Sequence, residues 1–215
     1  MAHAFFLGVD ARPGAPSEHP GVAYALLEKS AAPDDAAPRV RLHRVRHLPE
    51  GAAPTDLADH LQGLVAEQPY TGRISLIVNR RTPFGQALVE ALHDRGLDPV
   101  AATLATGSGR AAGGPDELGV HLEAVDLART LVNLHWDGRL VLAGHTHETA
   151  SRLARDVQAL AGHAGTDADP PALDPAALHL TSAALATWLG VERSFDPSKH
   201  LKNPPNTEPT APDGT

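Results

Sequence analysis

The chain has 215 residues, 42% of them hydrophobic, and a formal net charge of −8, which suits one well-buried core. It contains no cysteine, which excludes disulfides and thiolate sites and is typical of a reducing compartment. No secretory signal follows Met1 and no apolar run is long enough to span a bilayer, so we expect a soluble, cytoplasmic protein without a membrane partner. The acidic balance disfavours nucleic-acid binding by the surface as a whole, because phosphate recognition needs a basic footprint.

Three strands joined by loops open the chain. Ala4–Val9 is an apolar strand, Gly21–Glu28 is a second, and Val40–Leu48 is a third with partial alternation of apolar and polar residues. The connecting stretches Asp10–Pro20 and Ser30–Pro38 are rich in the residues that favour turns. This order predicts an antiparallel meander.

Two helices and two strands are predicted next. The first helix is expected to begin at Thr55 or Asp56, and its apolar positions recur at helical spacing: Leu57, Leu61, Leu64 and Val65. Arg73–Val78 is a near-continuous apolar run, typical of a strand buried on both faces. A second helix ends at Gly96, and one of its faces is apolar: Phe84, Leu88, Val89 and Leu92. Asp98–Ala105 is the fifth predicted strand.

The remainder is predicted to be mostly helical. Gly107–Glu117 is expected to be a flexible loop, and three helices are expected at Leu122–Leu134, Thr146–Leu160 and Pro175–Leu189. Arg139–Ala143 is a short apolar piece and a candidate for one more strand. Asp196–Thr215 is rich in proline and has almost no large apolar residue. We therefore expect one domain over residues 1–195 and a disordered, Pro-rich tail over residues 196–215.

The predicted order of elements is similar to that of the ribonuclease H-like fold, which has three antiparallel strands, a helix, and two strands separated by a helix. We therefore expect an α/β fold, with a mixed five-stranded sheet of three antiparallel strands and then parallel strands, flanked by helices. In that fold the first and fourth strands are parallel neighbours at the centre of the sheet. Asp10 and Asn79, which end these two strands, are then expected to meet at one edge.

Several segments carry a closer resemblance. A strand runs through a glycine-containing turn into a helix at Ile77-Val78-Asn79-Arg80-Arg81-Thr82-Pro83-Phe84-Gly85. A step into the next strand follows at Arg95-Gly96-Leu97-Asp98-Pro99-Val100, and a glycine-rich loop comes after it. Val125–Leu131 precedes Gly138-Arg139-Leu140, and the last helix contains the Ala/Leu-rich run Ala183–Trp188. In these parts residues 74–190 resemble the nuclease domain of phage terminase large subunits.

The resemblance implies a nuclease whose acids hold Mg²⁺ or Mn²⁺, and the chain departs from it at the acids. Asp10 keeps a carboxylate at the first position, whereas Asn79 stands where the family has its second acid. The acidic pair that begins the family's last helix is replaced by Ala176-Ala177-Leu178-His179, with Asp174 as the nearest carboxylate upstream. The phosphate-binding motif of an ATPase is absent, so the chain is not a packaging motor by itself.

Two functions remain open from the sequence. In the first, the chain is a catalytically degenerate domain that serves as a binding or scaffold module for nucleic acid or protein. In the second, it is an active nuclease in which Asp10, Asn79 and Asp174 are catalytic. Asp10 and Asp174 then hold Mg²⁺ or Mn²⁺, while Arg80 and Arg81 contact phosphate. Replacing a bridging carboxylate by an amide costs on the order of 4 kcal/mol per contact at an effective dielectric near 20, which favours the degenerate domain.

Each candidate residue also has a structural interpretation. Asp10 would cap the turn after its strand, Asn79 would hydrogen-bond the loop beside it, and Asp174 would cap the last helix. A compact basic stretch is either the charged guard of an edge strand or a local patch for nucleic acid: Arg39, Arg41, His43, Arg44, Arg46 and His47. His145 and His147 match no zinc-binding spacing and are expected to be surface histidines at a helix start.

Overall fold

One mixed sheet of strands with helices on both faces makes up the computed structural model, which describes residues 3–11, 21–30, 37–48, 51–105, 119–142, 148–163, 171–174 and 177–192. The strands are, in chain order, β1 (His3–Ala11), β2 (Val22–Ser30), β3 (Arg39–His47), β4 (Ile74–Asn79), β5 (Val100–Ala105), β6 (Val120–Glu123) and β7 (Leu140–Val141). The helices are α1 (Pro54–Ala66), α2 (Pro83–His93), α3 (Ala124–Trp136), α4 (Glu148–His163) and α5 (Leu178–Glu192). The predicted loop at 107–117, the predicted tail at 196–215, and His145 and His147 lie outside the described residues.

The order of strands across the sheet is β6-β5-β4-β1-β2-β3-β7. β1, β2 and β3 form the expected antiparallel meander, and β1 pairs in parallel with β4. β4, β5 and β6 continue in parallel. The predicted α/β class, the mixed sheet and the central placement of β1 beside β4 are therefore confirmed.

The expected number of five strands is wrong, because the described sheet has seven. β6 pairs with β5 from Val120 to Glu123, so Leu122, expected to open a helix, instead lies in a strand and α3 begins at Ala124. At the other edge β7 pairs with β3 through Leu140 and Val141. Both strands are short: β6 lies where the start of a helix was predicted, whereas β7 confirms the candidate strand at Arg139–Ala143.

The start of α1 also differs from the prediction. Ala53, rather than Thr55 or Asp56, precedes the first helical residue, and Pro54 occupies that first position. Proline suits this place because its missing N–H would have no partner within the helix. The Asp56 carboxylate instead accepts a hydrogen bond from the Ala53 backbone N–H at 3.3 Å.

The sheet separates two hydrophobic clusters. On one face the odd-numbered residues of β1 pack with α1 and α2. On the other face the even-numbered residues of β1 pack with α3, α4 and α5. α5 is apolar around most of its circumference and is buried against β1 and β2 on one side and α3 on the other. None of the described helices has the length and apolar content needed to cross a membrane.

α5 lies close against the sheet at Gly8. A Cβ atom at this position would overlap the Ser182 carbonyl oxygen and would lie 2.7 Å from the Ala186 backbone nitrogen. Glycine is therefore required where the helix crosses β1. Since the side chains of a strand alternate, Asp10 lies on the same face of β1 as Gly8, beneath the beginning of α5.

Candidate functional site

Asp10 and Asn79 meet at the edge of the sheet where β1 and β4 end. Val9 is in register with Val78 in the parallel pair, which brings the next residue of each strand to the same level. Both side chains are buried, with 3% of Asp10 and 6% of Asn79 exposed. The sequence-based expectation that these two residues are neighbours is therefore confirmed, while their catalytic roles stay predictions.

A direct hydrogen bond joins the two side chains. Asn79 Nδ2 donates to Asp10 Oδ1 at 2.7 Å, and Asn79 Oδ1 accepts the Arg81 backbone N–H at 3.1 Å. Because a backbone N–H only donates, it fixes the orientation of the amide and turns its nitrogen toward the carboxylate. The Ala11 backbone N–H donates to the same Asp10 oxygen at 3.0 Å. Two N–H groups, one from a backbone and one from a side chain, thus donate to Asp10 Oδ1.

As they are arranged here, the Asp10 and Asn79 side chains alone do not supply the clustered oxygen ligands of a two-metal site. Divalent Mg²⁺ and Mn²⁺ bind oxygen ligands, yet here an N–H group faces the carboxylate where a second ligand oxygen is needed. Asp174 is exposed, and its backbone carbonyl accepts the Ala177 N–H at 2.9 Å. Among the described residues no three histidine, cysteine or carboxylate side chains come together closely enough to hold a metal ion.

The turn from β4 into α2 explains the position of both candidate arginines. A Cβ at Gly85 would overlap the Asn79 carbonyl oxygen, so the helix begins tightly against the end of the strand, and Thr82 Oγ1 caps it by accepting the Gly85 N–H at 3.1 Å. Arg80 Nε donates to Thr103 Oγ1 at 3.2 Å, which turns this side chain toward β5. Arg81 is exposed at the turn. The Arg80 side chain is therefore held against β5, whereas Arg81 is exposed to solvent.

A histidine cluster that was not predicted from the sequence lies on the same face of the sheet as Asp10. His47 is paired with Ala23, which in turn is paired with Asp10, so the three lie in one row across β3, β2 and β1. The ring of buried His179, in the first turn of α5, lies 5.7 Å from the ring of His47. His179 Nε2 is 2.6 Å from Asp156 Oδ2 of α4.

The electrostatics of this cluster disfavour a charged His47. Burial, the neighbouring His179 and then the Arg152 guanidinium lower the pKa of His47 below its ordinary value, in that order of importance. The cluster ties β3, α4 and α5 together through polar contacts. The histidine-rich composition was its only signal in the sequence, because the register that places His47 near His179 follows from the folded sheet.

Comparison with known proteins gives little beyond this geometry. No protein-family model and no curated protein matches the chain. The chain is similar to a solved structure of RuvC from Thermus thermophilus, at 15% sequence identity and a TM-score of 0.36. That likeness covers 85% of this chain and 90% of the other. At this TM-score the likeness carries no argument about this chain.

Proposed function

We propose that this chain is a catalytically degenerate ribonuclease H-like domain, related to a terminase-type nuclease, that serves as a binding or scaffold module. The observation that carries the proposal is the hydrogen bond from Asn79 Nδ2 to Asp10 Oδ1 at 2.7 Å. This hydrogen bond engages the Asp10 carboxylate in holding the ends of β1 and β4 together. A carboxylate held by N–H donors has less capacity left for a cation.

The chemistry of phosphodiester cleavage also favours a catalytically degenerate domain. Two-metal hydrolysis needs several carboxylates to offset the repulsion between two cations that lie about 4 Å apart. The pair of Asp10 and Asn79 supplies one negative charge, and the described first turn of α5 contains no acidic residue. Binding to a partner requires none of these charges, so a binding or scaffold function survives their loss.

A cleavage assay tests the proposal. The purified chain is incubated in Mn²⁺ with labelled single- and double-stranded DNA and RNA, beside an Asp10→Asn variant that keeps the size of the side chain. We expect both proteins to leave all four substrates intact. Metal-dependent cleavage by the wild type that disappears in Asp10→Asn would overturn the proposal and establish an active nuclease instead.

A further inference from the structure

Four arginines share one face of β3, opposite to the face that contacts α5. Arg39, Arg41 and Arg46 are exposed and Arg44 is partly exposed. The other face of the strand is in the core: Val40, Leu42 and Val45. A bulge at Leu26/Leu27 of β2 leaves one extra residue in β3, so that odd-numbered positions point outward before it and even-numbered positions after it. The arginines consequently stay on one side of the sheet.

Four arginines without a described acidic partner share one strand face, whereas other exposed arginines that also lack one, such as Arg73 and Arg155, lie on different elements. Elsewhere, carboxylates pair with Arg95, Arg129, Arg139 and Arg152. No described carboxylate lies within ion-pair distance of any of the four on β3. Glu28, the acid opposite Arg41 in the strand register, is instead bound by His43 at 2.5 Å. Positive charge therefore accumulates along this strand although the whole chain is acidic.

In the part of the chain that the structure describes, most of the β3 edge has no neighbouring strand. β7 pairs only with Val40 and Arg41, and within the described sheet no other strand lies outside β3. Charged residues commonly protect an exposed edge from pairing with another strand. Edge protection does not by itself account for four guanidinium groups on one face, where the acid in register with Arg41, Glu28, is already bound by His43.

We propose that this arginine face, formed by Arg39, Arg41, Arg44 and Arg46, binds the phosphate backbone of double-stranded nucleic acid. The inference rests on the proposed binding function and names its partner and its surface. Along an extended strand the four residues span about 20 Å, because each residue adds about 3.3 Å. A duplex presents one phosphate per strand about every 3.4 Å along its axis, so this span passes about six phosphates. Guanidinium groups suit phosphate because they donate paired hydrogen bonds.

The surroundings favour a duplex over a single strand. Proteins that hold single strands combine basic residues with aromatic side chains on which the bases stack. The large apolar side chains that are exposed in the described chain are Trp136 and Val191, and neither lies on β3. Contacts through the backbone alone, without stacking, depend most on charge density, which is higher in the duplex.

Neither the net charge nor the Asp10–Asn79 edge conflicts with this surface. Charges farther away than about 8–10 Å are largely screened at physiological salt, so the local arginines dominate once a ligand is in contact. Asp10 lies on the opposite face of the sheet, and β1 is separated from β3 by β2. A duplex on the arginine face is therefore not presented to Asp10, which is consistent with binding without cleavage.

Fluorescence anisotropy with a short, labelled DNA duplex of mixed sequence tests the proposal on the full chain. Four phosphate contacts predict a slope of about −3.6 for log K against log salt, or about a 150-fold loss of affinity between about 50 and 200 mM salt. Removing two contacts in Arg41→Gln/Arg46→Gln predicts a slope of about −1.8. Arg41→Lys/Arg46→Lys keeps the charge and is expected to retain most of the wild-type slope.

A matched control changes the same net charge elsewhere. Arg73→Gln/Arg155→Gln alters two exposed arginines outside β3 and is expected to bind the duplex like the wild type. Equal slopes in the wild type and in Arg41→Gln/Arg46→Gln would overturn the proposal. So would preferential binding of a polyglutamate competitor, which would indicate an acidic protein partner.

Two further outcomes separate this proposal from the proposed function. If Arg80→Gln/Arg81→Gln loses duplex affinity while Arg41→Gln/Arg46→Gln does not, the proposed binding surface is wrong. The proposed function as a binding module is then still supported. If the wild type binds no duplex at about 50 mM salt, where the phosphate contribution is strong, the arginine face also fails. The absence of catalysis is then judged separately, by the cleavage assay with Asp10→Asn.

Discussion

On the α5 side of the sheet, Asp10 and Asn79 are buried and satisfy each other, whereas on the opposite side of β3 four arginines face solvent without a described acidic partner. The buried pair is constrained by folding, because a carboxylate removed from water must find donors. The exposed arginines are under no such constraint. The fold therefore accounts for the buried pair, whereas it does not require the four arginines to share one face.

The largest expected effect comes from turning the buried pair into two acids. Asn79→Asp places a second carboxylate beside Asp10, and two charges about 4 Å apart repel by about 4 kcal/mol at an effective dielectric near 20. We expect thermal unfolding at pH 8 about 10 °C below the wild type. The deficit should shrink as the pH falls toward 4, because the coupled pair takes up a proton and loses its repulsion.

The exchanged variant Asp10→Asn/Asn79→Asp is the control for that experiment, since it keeps one amide and one carboxylate. We expect it to recover much of the stability that Asn79→Asp loses. An Asn79→Asp protein as stable as the wild type at pH 8 would show that the two side chains are not in contact. That result would contradict the claim that residues 10 and 79 form a buried, hydrogen-bonded pair.

The second effect tests how closely α5 lies above the buried pair. Gly8→Ala forces a methyl group against the backbone of Ser182 and Ala186, so we expect a loss of about 3 kcal/mol in the free energy of unfolding. Gly63 lies on the exposed side of α1 with no atom near its added Cβ. Gly63→Ala should therefore stabilise by about 0.5–1 kcal/mol. Urea unfolding of both variants measures this, and equal effects would contradict the close approach of α5.

The smallest effect concerns the histidine cluster. Since the fold lowers the pKa of His47, the unfolded chain binds a proton more readily below about pH 6.5. Wild-type stability should therefore fall relative to His47→Gln as the pH drops from 7 to 5. His163→Gln, on the exposed side of α4, removes a histidine outside the cluster and controls for the loss of a histidine as such. A constant difference between wild type and His47→Gln would exclude this linkage.

The sequence allowed the central part of the sheet to be predicted because long apolar strands and their order restrict the topology. β1 and β4 each bury a near-continuous apolar run, and a parallel pair brings their final residues together. β6 was not predicted, because its four residues carry no periodicity of their own and Leu122 was expected to begin a helix, whereas the candidate strand at Arg139–Ala143 is confirmed as β7. Their strand geometry is imposed by β5 and β3.

The same limit applies to the candidate site. The proximity of Asp10 and Asn79 follows from the pairing of β1 with β4. The orientation of the Asn79 amide, however, is set by the Arg81 backbone N–H, and no sequence pattern specifies that contact. The common face of the β3 arginines depends on a bulge beside Leu26/Leu27. Without the bulge, alternation would separate Arg39 and Arg41 from Arg44 and Arg46.

Titration of the wild-type chain with Mn²⁺ tests the central claim most directly, because it measures the capacity of the Asp10–Asn79 edge for a cation without requiring a substrate. We expect no saturable heat in isothermal titration and no rise in the unfolding temperature. A ligand present at about 100 times its dissociation constant would add about 2.7 kcal/mol and be readily detected. Saturable Mn²⁺ binding that is lost in Asp10→Asn would contradict the account.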